Sequence, residues 1–120
     1  MAIAKDSKYD LEERTAVFGE SIIKFCYSLK QDAITKSIIN QLVRSATSVG
    51  ANYMEANAAS SKKDFKNKIY ISKKEAQETK HWLRMIAQCE ANKKEEIRKL
   101  WQEAQEFTLI FGKIVSTLKN

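Results

Sequence analysis

Hydrophobic residues recur every three or four positions along almost the whole chain, which is the period of an α-helix with one buried face. The pattern predicts helices over residues 11–30, 33–58 and 62–90, and a fourth helix that begins after Asn92. The predicted core positions are Phe18, Ile22, Phe25 and Leu29; Ile38, Leu42, Ala46, Val49, Tyr53 and Ala56; Phe65, Ile69, Ser72, Ala76, Thr79, Leu83 and Ile86; and Ile97, Leu100, Ala104, Phe107, Phe111, Ile114 and Leu118. Spacings that alternate between three and four are typical of helices packed side by side in a left-handed bundle.

Residues that commonly cap helices precede these four stretches. Asp10, Asp32, Ser61 and Asn92 each lie at a predicted first turn, where a side-chain oxygen can accept a bond from a free backbone N–H. The predicted connections are only a few residues long, so consecutive helices are expected to run in opposite directions. We therefore predict an all-α protein, an antiparallel up-down-up-down four-helix bundle, with an N-terminal tail over residues 1–9 and one domain over residues 10–120.

The second predicted helix carries small residues on the face that is expected to be buried. Ser45 and Gly50 would allow a neighbouring helix to approach closely. Arg44 lies beside this face, and because an unpaired buried charge is costly, a carboxylate partner is expected. Glu75 and Glu78 lie on the third helix beside its own small core residues. The sequence therefore predicts a partly buried ion pair between Arg44 and one or both glutamates, which would fix the register of the two helices.

The composition supports an all-helical chain. Its 120 residues are enough for one domain, and they contain no proline and only three glycines. Folds built from strands and tight turns need more turn-forming residues than this. Lys and Arg number 21 while Asp and Glu number 15, which gives a formal net charge of +6. This excess favours acidic partners, above all nucleic acid, although a solvated lysine-rich surface is the alternative interpretation.

Five basic residues recur at helical spacing along one polar side of the third helix, and we call them the cationic strip: Lys62, Lys66, Lys73, Lys80 and Arg84. At ~1.5 Å per residue the strip would be about 33 Å long, comparable to one turn of duplex. No acidic residue falls on it, whereas a solvated helix face usually carries charges of both signs. The strip is a candidate surface for nucleic acid, with RNA favoured, or for an acidic protein, and its side chains are expected to face water.

The chain offers little of the chemistry that enzymes use. Glu78 and His81 have the Glu-x-x-His spacing of di-iron bundles, but such a site needs two of these units and His81 is the only histidine. There is no glycine-rich loop, and no serine or cysteine beside a base. We predict no catalytic residues, no metal and no cofactor, and hence a protein that is not an enzyme.

Two further features bear on the compartment of the protein. Cys26 and Cys89 have no metal-ligand spacing and lie on or next to apolar stripes, which is typical of buried, reduced thiols. The N-terminus has no hydrophobic segment of a signal peptide, and no apolar run approaches the length of a membrane span. The expectation is a cytoplasmic protein that does not contact a membrane.

Trp82 and Trp101 each lie one step off a predicted core stripe. They could close the edges of the bundle. They could also belong to a second apolar face through which the chain associates with itself, because large exposed apolar patches usually mark interfaces. Both tryptophans are therefore candidate residues of an oligomer interface.

The sequence resembles a known family at two blocks of residues. The first block is Arg44-Ser45, Ser48, Gly50-Ala51-Asn52 and Glu55-Ala56; the second is Asp64-Phe65, Lys74-Glu75-Ala76, Glu78-Thr79 and Trp82-Leu83. The chain is similar to the four-helix-bundle proteins encoded in intervening sequences of bacterial 23S ribosomal RNA genes, and the similarity extends from about Arg14 to Leu118. The resemblance implies a small bacterial four-helix bundle that assembles as a ring-like homopentamer and has no enzymatic activity.

Relatives of that family include the accessory proteins of diversity-generating retroelements, which bind a reverse transcriptase and nucleic acid through a basic surface of the pentamer. Two classes of function therefore stay open. One is a scaffold that binds structured RNA through the cationic strip, repeated around an oligomer. The other is an adaptor that docks an acidic protein partner, in the manner of a reverse-transcriptase accessory subunit.

Overall fold

The computed structural model describes residues 10–118, which form four α-helices and one short 3₁₀ helix. The α-helices are α1 (Leu11–Tyr27), α2 (Ala33–Asn57), α3 (Lys62–Cys89) and α4 (Lys94–Thr117), and the 3₁₀ helix spans Ala91–Lys93. Between residues 10 and 118 there is no β-strand, so this range is all-helical, as the hydrophobic period predicts. The predicted tail over residues 1–9 lies outside the described residues.

Side chains begin three of the four helices as predicted. Asp10, Asp32 and Ser61 each accept a hydrogen bond from the backbone N–H three residues later, at 2.8–3.1 Å. The prediction for α4 is wrong, because Asn92 lies inside the 3₁₀ helix and α4 begins at Lys94 without a side-chain cap. The 3₁₀ turn tightens the chain ahead of α4 and takes the place of a capping side chain.

The end of α1 also differs from the prediction. The helix ends at Tyr27 rather than at residue 30, because the backbone N–H groups of Ser28 and Leu29 turn to carbonyls three residues back, at 3.0 and 3.1 Å. Leu29 is nevertheless buried, so the predicted core position is correct although the helix does not reach it.

The core is one cluster of side chains from all four helices. Phe18 of α1 meets Phe107 of α4 edge to face with ring centroids 5.4 Å apart, and Phe107 stacks with Phe111 at 6.0 Å. The predicted core positions that are only half-buried are Ile38, Tyr53, Phe65, Leu100, Ile114 and Leu118. All of these lie within two turns of a helix end, where fewer neighbouring helices cover a side chain.

Small polar residues join α2 to α3 inside the core. Ser72 Oγ donates to the carbonyl of Val49 at 3.0 Å, and Thr79 Oγ1 lies 2.9 Å from Ser45 Oγ. Ser45, Ser72 and Thr79 are fully buried. Because a buried hydroxyl without a partner is costly, the Ser72 contact fixes which residues of the two helices face each other, while Thr79 and Ser45 also bond carbonyls of their own helices.

Each helix packs against its neighbours in the chain, and α1 also meets α4, which closes the arrangement. Between α2 and α3, residue numbers of the contacting pairs rise along one helix and fall along the other. Val49 contacts Ser72, and Glu55 Oε1 lies 2.9 Å from Lys68 Nζ. Contacts between α1 and α4 are the sparsest of the four seams. The edge formed by α1 and α2 therefore lies across the molecule from the edge formed by α3 and α4.

The structure brings Arg44, Glu75 and Glu78 together, but at the surface. Arg44 Nη1 lies 3.2 Å from Glu75 Oε1, and Nη2 contacts Glu78 Oε2. The expectation of a partly buried arginine is wrong, because its side chain is 44% exposed. Ser45 and Thr79 fill the inner side of the α2–α3 seam, so the guanidinium reaches the carboxylates over the outer edge.

Glu78 has a second partner in Trp82, whose indole N–H donates to Glu78 Oε2 at 2.8 Å. This hydrogen bond, together with the Arg44 guanidinium, holds the pKa of the Glu78 carboxyl below its usual value, although burial acts in the opposite direction. Because the pKa is lower in the folded chain, the stability that this group contributes is present above the ordinary carboxyl pKa. It is lost as the pH falls through the lowered value.

A less exposed ion pair, which the sequence does not reveal, joins α1 to α4. Arg14 Nε and Nη2 each lie 2.8 Å from a carboxylate oxygen of Glu103, and the guanidinium carbon lies 5.1 Å from the ring centroid of Phe107. The Arg14 side chain is only 15% exposed. Its partner is 89 positions away, so no local spacing could indicate it. Two-point contacts of this kind are the strong ones among ion pairs.

We expect Arg14→Ala to destabilise the protein more than Arg44→Ala. Loss of Arg14 leaves Glu103 partly buried without its partner, which should lower the free energy of unfolding by about 2–3 kcal/mol. Loss of Arg44 breaks exposed contacts and should cost about 1 kcal/mol or less. Urea unfolding followed by far-UV circular dichroism measures both values. Equal costs for the two variants would contradict the difference in burial.

Candidate nucleic-acid interface

The cationic strip lies along the boundary between α3 and α4. Lys80 Nζ donates to Gln105 Oε1 of α4 and lies 5.0 Å from the ring centroid of Trp101, also on α4. The stem of Lys73 crosses Gly112, where an added Cβ would lie 3.7 Å from Lys73 Cε. Lys80 is therefore tied to α4 by two contacts, and the stem of Lys73 runs close to the same helix.

The expectation that the strip faces water is wrong for its middle three residues. Lys62 and Arg84 are exposed, whereas Lys66, Lys73 and Lys80 are half-buried. Each of the three middle lysines comes directly after a core position of α3 in the sequence, so its aliphatic stem covers apolar surface. Lysine side chains commonly do this while the ammonium group stays near the solvent.

The strip keeps its positive charge. The basic residues that form ion pairs within the described range are Arg14, Arg44, Lys68 and Arg98. None of them belongs to the strip, and the contacts of Lys80 are to a neutral amide and an aromatic ring. A row of cations without carboxylate partners attracts the phosphates of a nucleic acid.

Exposed residues of α3 extend the positive surface beyond the strip. Lys63, Lys74 and His81 flank it and are all exposed. Tyr70 is 50% exposed, with Lys74 Nζ 5.9 Å from its ring centroid. Aromatic rings among cations are typical of surfaces that bind single-stranded nucleic acid.

The two tryptophans lie on opposite sides of α3. Trp82 is half-buried and bonds Glu78, which contacts Arg44 on the side of α2. Trp101 is 38% exposed and lies against Lys80 on the side of α4. They do not share one apolar face, and their place in an oligomer interface stays a prediction.

A second feature, which the core-stripe pattern does not reveal, is a groove between α1 and α2. Five of the eight large hydrophobic side chains exposed in residues 10–118 belong to these two helices: Val17, Ile23, Tyr27, Ile34 and Met54. A groove of about 440 Å³ between the helices is lined by Ile23 and Met54 and by three glutamates of α1. The sequence does contain an indication of exposed apolar side chains on α1, because Val17, Ile23 and Tyr27 are large apolar residues off its core stripe.

Other candidate chemistry finds little support in the described chain. Residues 10–118 contain no group of three or more His, Cys, Asp or Glu side chains that could hold a metal ion. Cys26 is buried, which raises the pKa of its thiol to about 11, whereas Cys89 is half-buried rather than buried as predicted. No helix in this range is long and apolar enough to cross a bilayer.

Comparison with known proteins places the chain in a family. The model of the 23S rRNA-intervening sequence protein family matches residues 7–113. A crystal structure of a protein of unknown function from the S23 ribosomal protein family of Bacteroides thetaiotaomicron is similar, with a TM-score of 0.81 and 28% sequence identity. That similarity covers 92% of this chain and 98% of the other. No match is found among curated proteins. As the two blocks of residues predict, the chain belongs to the 23S rRNA-intervening sequence protein family.

Proposed function

We propose that this protein is a non-enzymatic scaffold that binds structured RNA along the cationic strip. The observation that carries the proposal is the row of five basic side chains on the α3–α4 boundary, none of which has a carboxylate partner among residues 10–118. Phosphate contacts supply most of the affinity when a protein binds nucleic acid without reading its sequence. A straight helix that presents cations at regular intervals suits such contacts.

A further feature favours RNA over an acidic protein as the ligand. Exposed aromatic rings, those of Tyr70 and Trp101, lie beside the basic side chains and could contact bases. An acidic protein would use the cations but has no particular need of the rings.

The proposal includes an oligomer. In it, four antiparallel helices form each subunit and five copies assemble as a ring. Support for the antiparallel course comes from the opposite numerical order of the contacts between α2 and α3. Support for self-association comes from the family resemblance and from the exposed apolar residues of α1 and α2. A ring would repeat the strip and increase the avidity for a long RNA.

The salt dependence of RNA binding tests the strip. We expect the logarithm of the affinity to fall with the logarithm of the salt concentration, by roughly 0.7 to 0.9 per phosphate contact. Changing Lys66, Lys73 and Lys80 together to Gln should weaken binding to all RNA sequences alike and flatten this slope. Fluorescence anisotropy of a labelled RNA hairpin, titrated at several salt concentrations, measures both quantities.

The matched control for this variant changes Lys24, Lys30 and Lys36 together to Gln. It removes the same number of charges from exposed lysines of the α1–α2 region, away from the strip. Circular dichroism should show that both triple variants fold. If both bind RNA with the same affinity and slope, the strip is a solvated face, and the adaptor for an acidic protein becomes the better hypothesis.

The mass of the protein in solution tests the oligomer. We expect light scattering coupled to size-exclusion chromatography to give about five times the mass of one chain. Changing Ile23 and Met54 together to Lys should lower this mass if the α1–α2 surface lies between subunits. Trp82→Ala is the comparison for the interface predicted at the tryptophans. A monomeric wild type at micromolar concentration would contradict the oligomer.

A further inference from the structure

We propose that Trp101 is a stacking platform for an unpaired base of the bound RNA. The inference rests on the proposed RNA binding and adds the kind of nucleic acid that the site takes. The ligand would be single-stranded RNA, or the loop of a structured RNA, which places one base on the indole and its phosphates on the cationic strip.

The indole of Trp101 is accessible and still has a free donor. Trp101 is 38% exposed, and its N–H meets no acceptor within residues 10–118. Trp82 differs in both respects, because it is half-buried, donates to Glu78, and packs against His81 with ring centroids 4.8 Å apart. Of the two indoles, that of Trp101 offers the more accessible surface to a ligand.

Two open hollows at the surface have Trp101 in their walls. One, of about 530 Å³, is lined by Trp101 with Ala87, Lys94 and Ile97. The other, of about 610 Å³, has Trp101 and Gln102 in its wall. These hollows give a base access to the indole beside Lys80.

The carboxylates that line these hollows are already engaged by arginines. Glu95 lies 2.9 Å from Arg98, and Glu103 and Glu106 lie 2.8 and 3.5 Å from Arg14. Glu103 and Glu106 share Arg14, and Lys99 in the wall of the same hollow offsets the negative charge that remains. Lys94 in the other hollow and Lys80 over the ring then leave an excess of positive charge near Trp101, which favours phosphate at the same place as the ring.

Lys80 connects the ring to the strip. Its ammonium group lies 5.0 Å from the Trp101 centroid, and its hydrogen-bond partner within residues 10–118 is the neutral amide of Gln105. A phosphate would be a stronger partner for the ammonium than either of these contacts. When RNA binds, Lys80 would turn from the indole to a phosphate and leave that face of the ring for the base.

Stacking on one indole requires a base that is not enclosed in a duplex. In a double helix both faces of each base are covered by its neighbours, whereas bases of single strands and loops can be splayed out onto aromatic side chains. Every base has such a face, so the contact would tolerate any sequence. The site would therefore distinguish strandedness rather than sequence.

The fluorescence of Trp101 tests the proposal directly. In a Trp82→Phe background, where Trp101 is the only indole, a short single-stranded oligoribonucleotide should quench the emission. A strand of the same length without bases, and a duplex of the same length, should bind through phosphates without the same quenching.

Affinity measurements give a second, independent readout. Trp101→Leu keeps an apolar side chain and should weaken binding of the single strand by about tenfold or more, with little effect on the abasic strand. The salt slope should stay unchanged, because the phosphate contacts remain. Trp101→Phe, which keeps an aromatic face, should recover part of the loss, and it replaces the leucine variant if that one does not fold.

Three results would overturn the proposal. Equal quenching by the abasic strand, or wild-type affinity of Trp101→Leu, would remove base stacking and leave RNA binding by the strip intact. A reduced oligomer mass for Trp101→Leu would assign Trp101 to a subunit interface instead. Failure of all three RNAs to bind the wild type would remove the proposed function together with this inference.

Discussion

The hydroxyl contacts buried between α2 and α3 determine how the rest of the molecule is arranged. Ser72 bonds the backbone of α2, and Thr79 meets Ser45, at positions where the helices are too close to admit water or larger side chains. A slip of one helix along the other would leave the Ser72 hydroxyl buried without its partner, whereas Thr79 and Ser45 also have carbonyl partners in their own helices. The register of α3 sets where its basic side chains meet α4, so the cationic strip depends on a contact on the other side of its own helix.

The molecule offers two surfaces of different character on opposite edges. The edge of α3 and α4 is basic and carries Trp101, whereas the groove between α1 and α2 is lined by Ile23, Met54 and three glutamates. Because α1 and α2 lie across the molecule from the strip, a subunit could contact another copy through one edge and RNA through the other. Under the proposed function the two interactions would not compete for the same residues.

The sequence predicts the inside of this protein better than its surface. Hydrophobic period and capping residues predict the four helices and most of the core, because both depend on local spacing. The same spacing predicts Arg44 nearer the core than it is. A position on a helix gives the direction in which a side chain leaves the backbone, but it does not say how far apart the two helices lie. Arg14 and Glu103 were beyond any local pattern, because only the closed arrangement of α1 against α4 brings them together.

The residues that carry the family resemblance do not predict the basic surface of the protein. Ser45, Glu75 and Thr79 belong to the α2–α3 seam, where they are required for close packing and register. The middle residues of the strip, such as Lys73, face α4 instead. The resemblance therefore rests in part on residues of the α2–α3 seam, which do not predict the basic surface on the side of α4.

The sparse seam between α1 and α4 has a consequence for the motions of the protein. It is closed mainly by side chains, those of Phe18 against Phe107 and of Arg14 against Glu103, so it should be the first seam to open in local unfolding. Opening there would leave α3 packed between α2 and α4. The seams of α3 with these two helices have the most extensive packing. The amide hydrogens of α3, the helix that carries the strip, should thus be among the slowest to exchange.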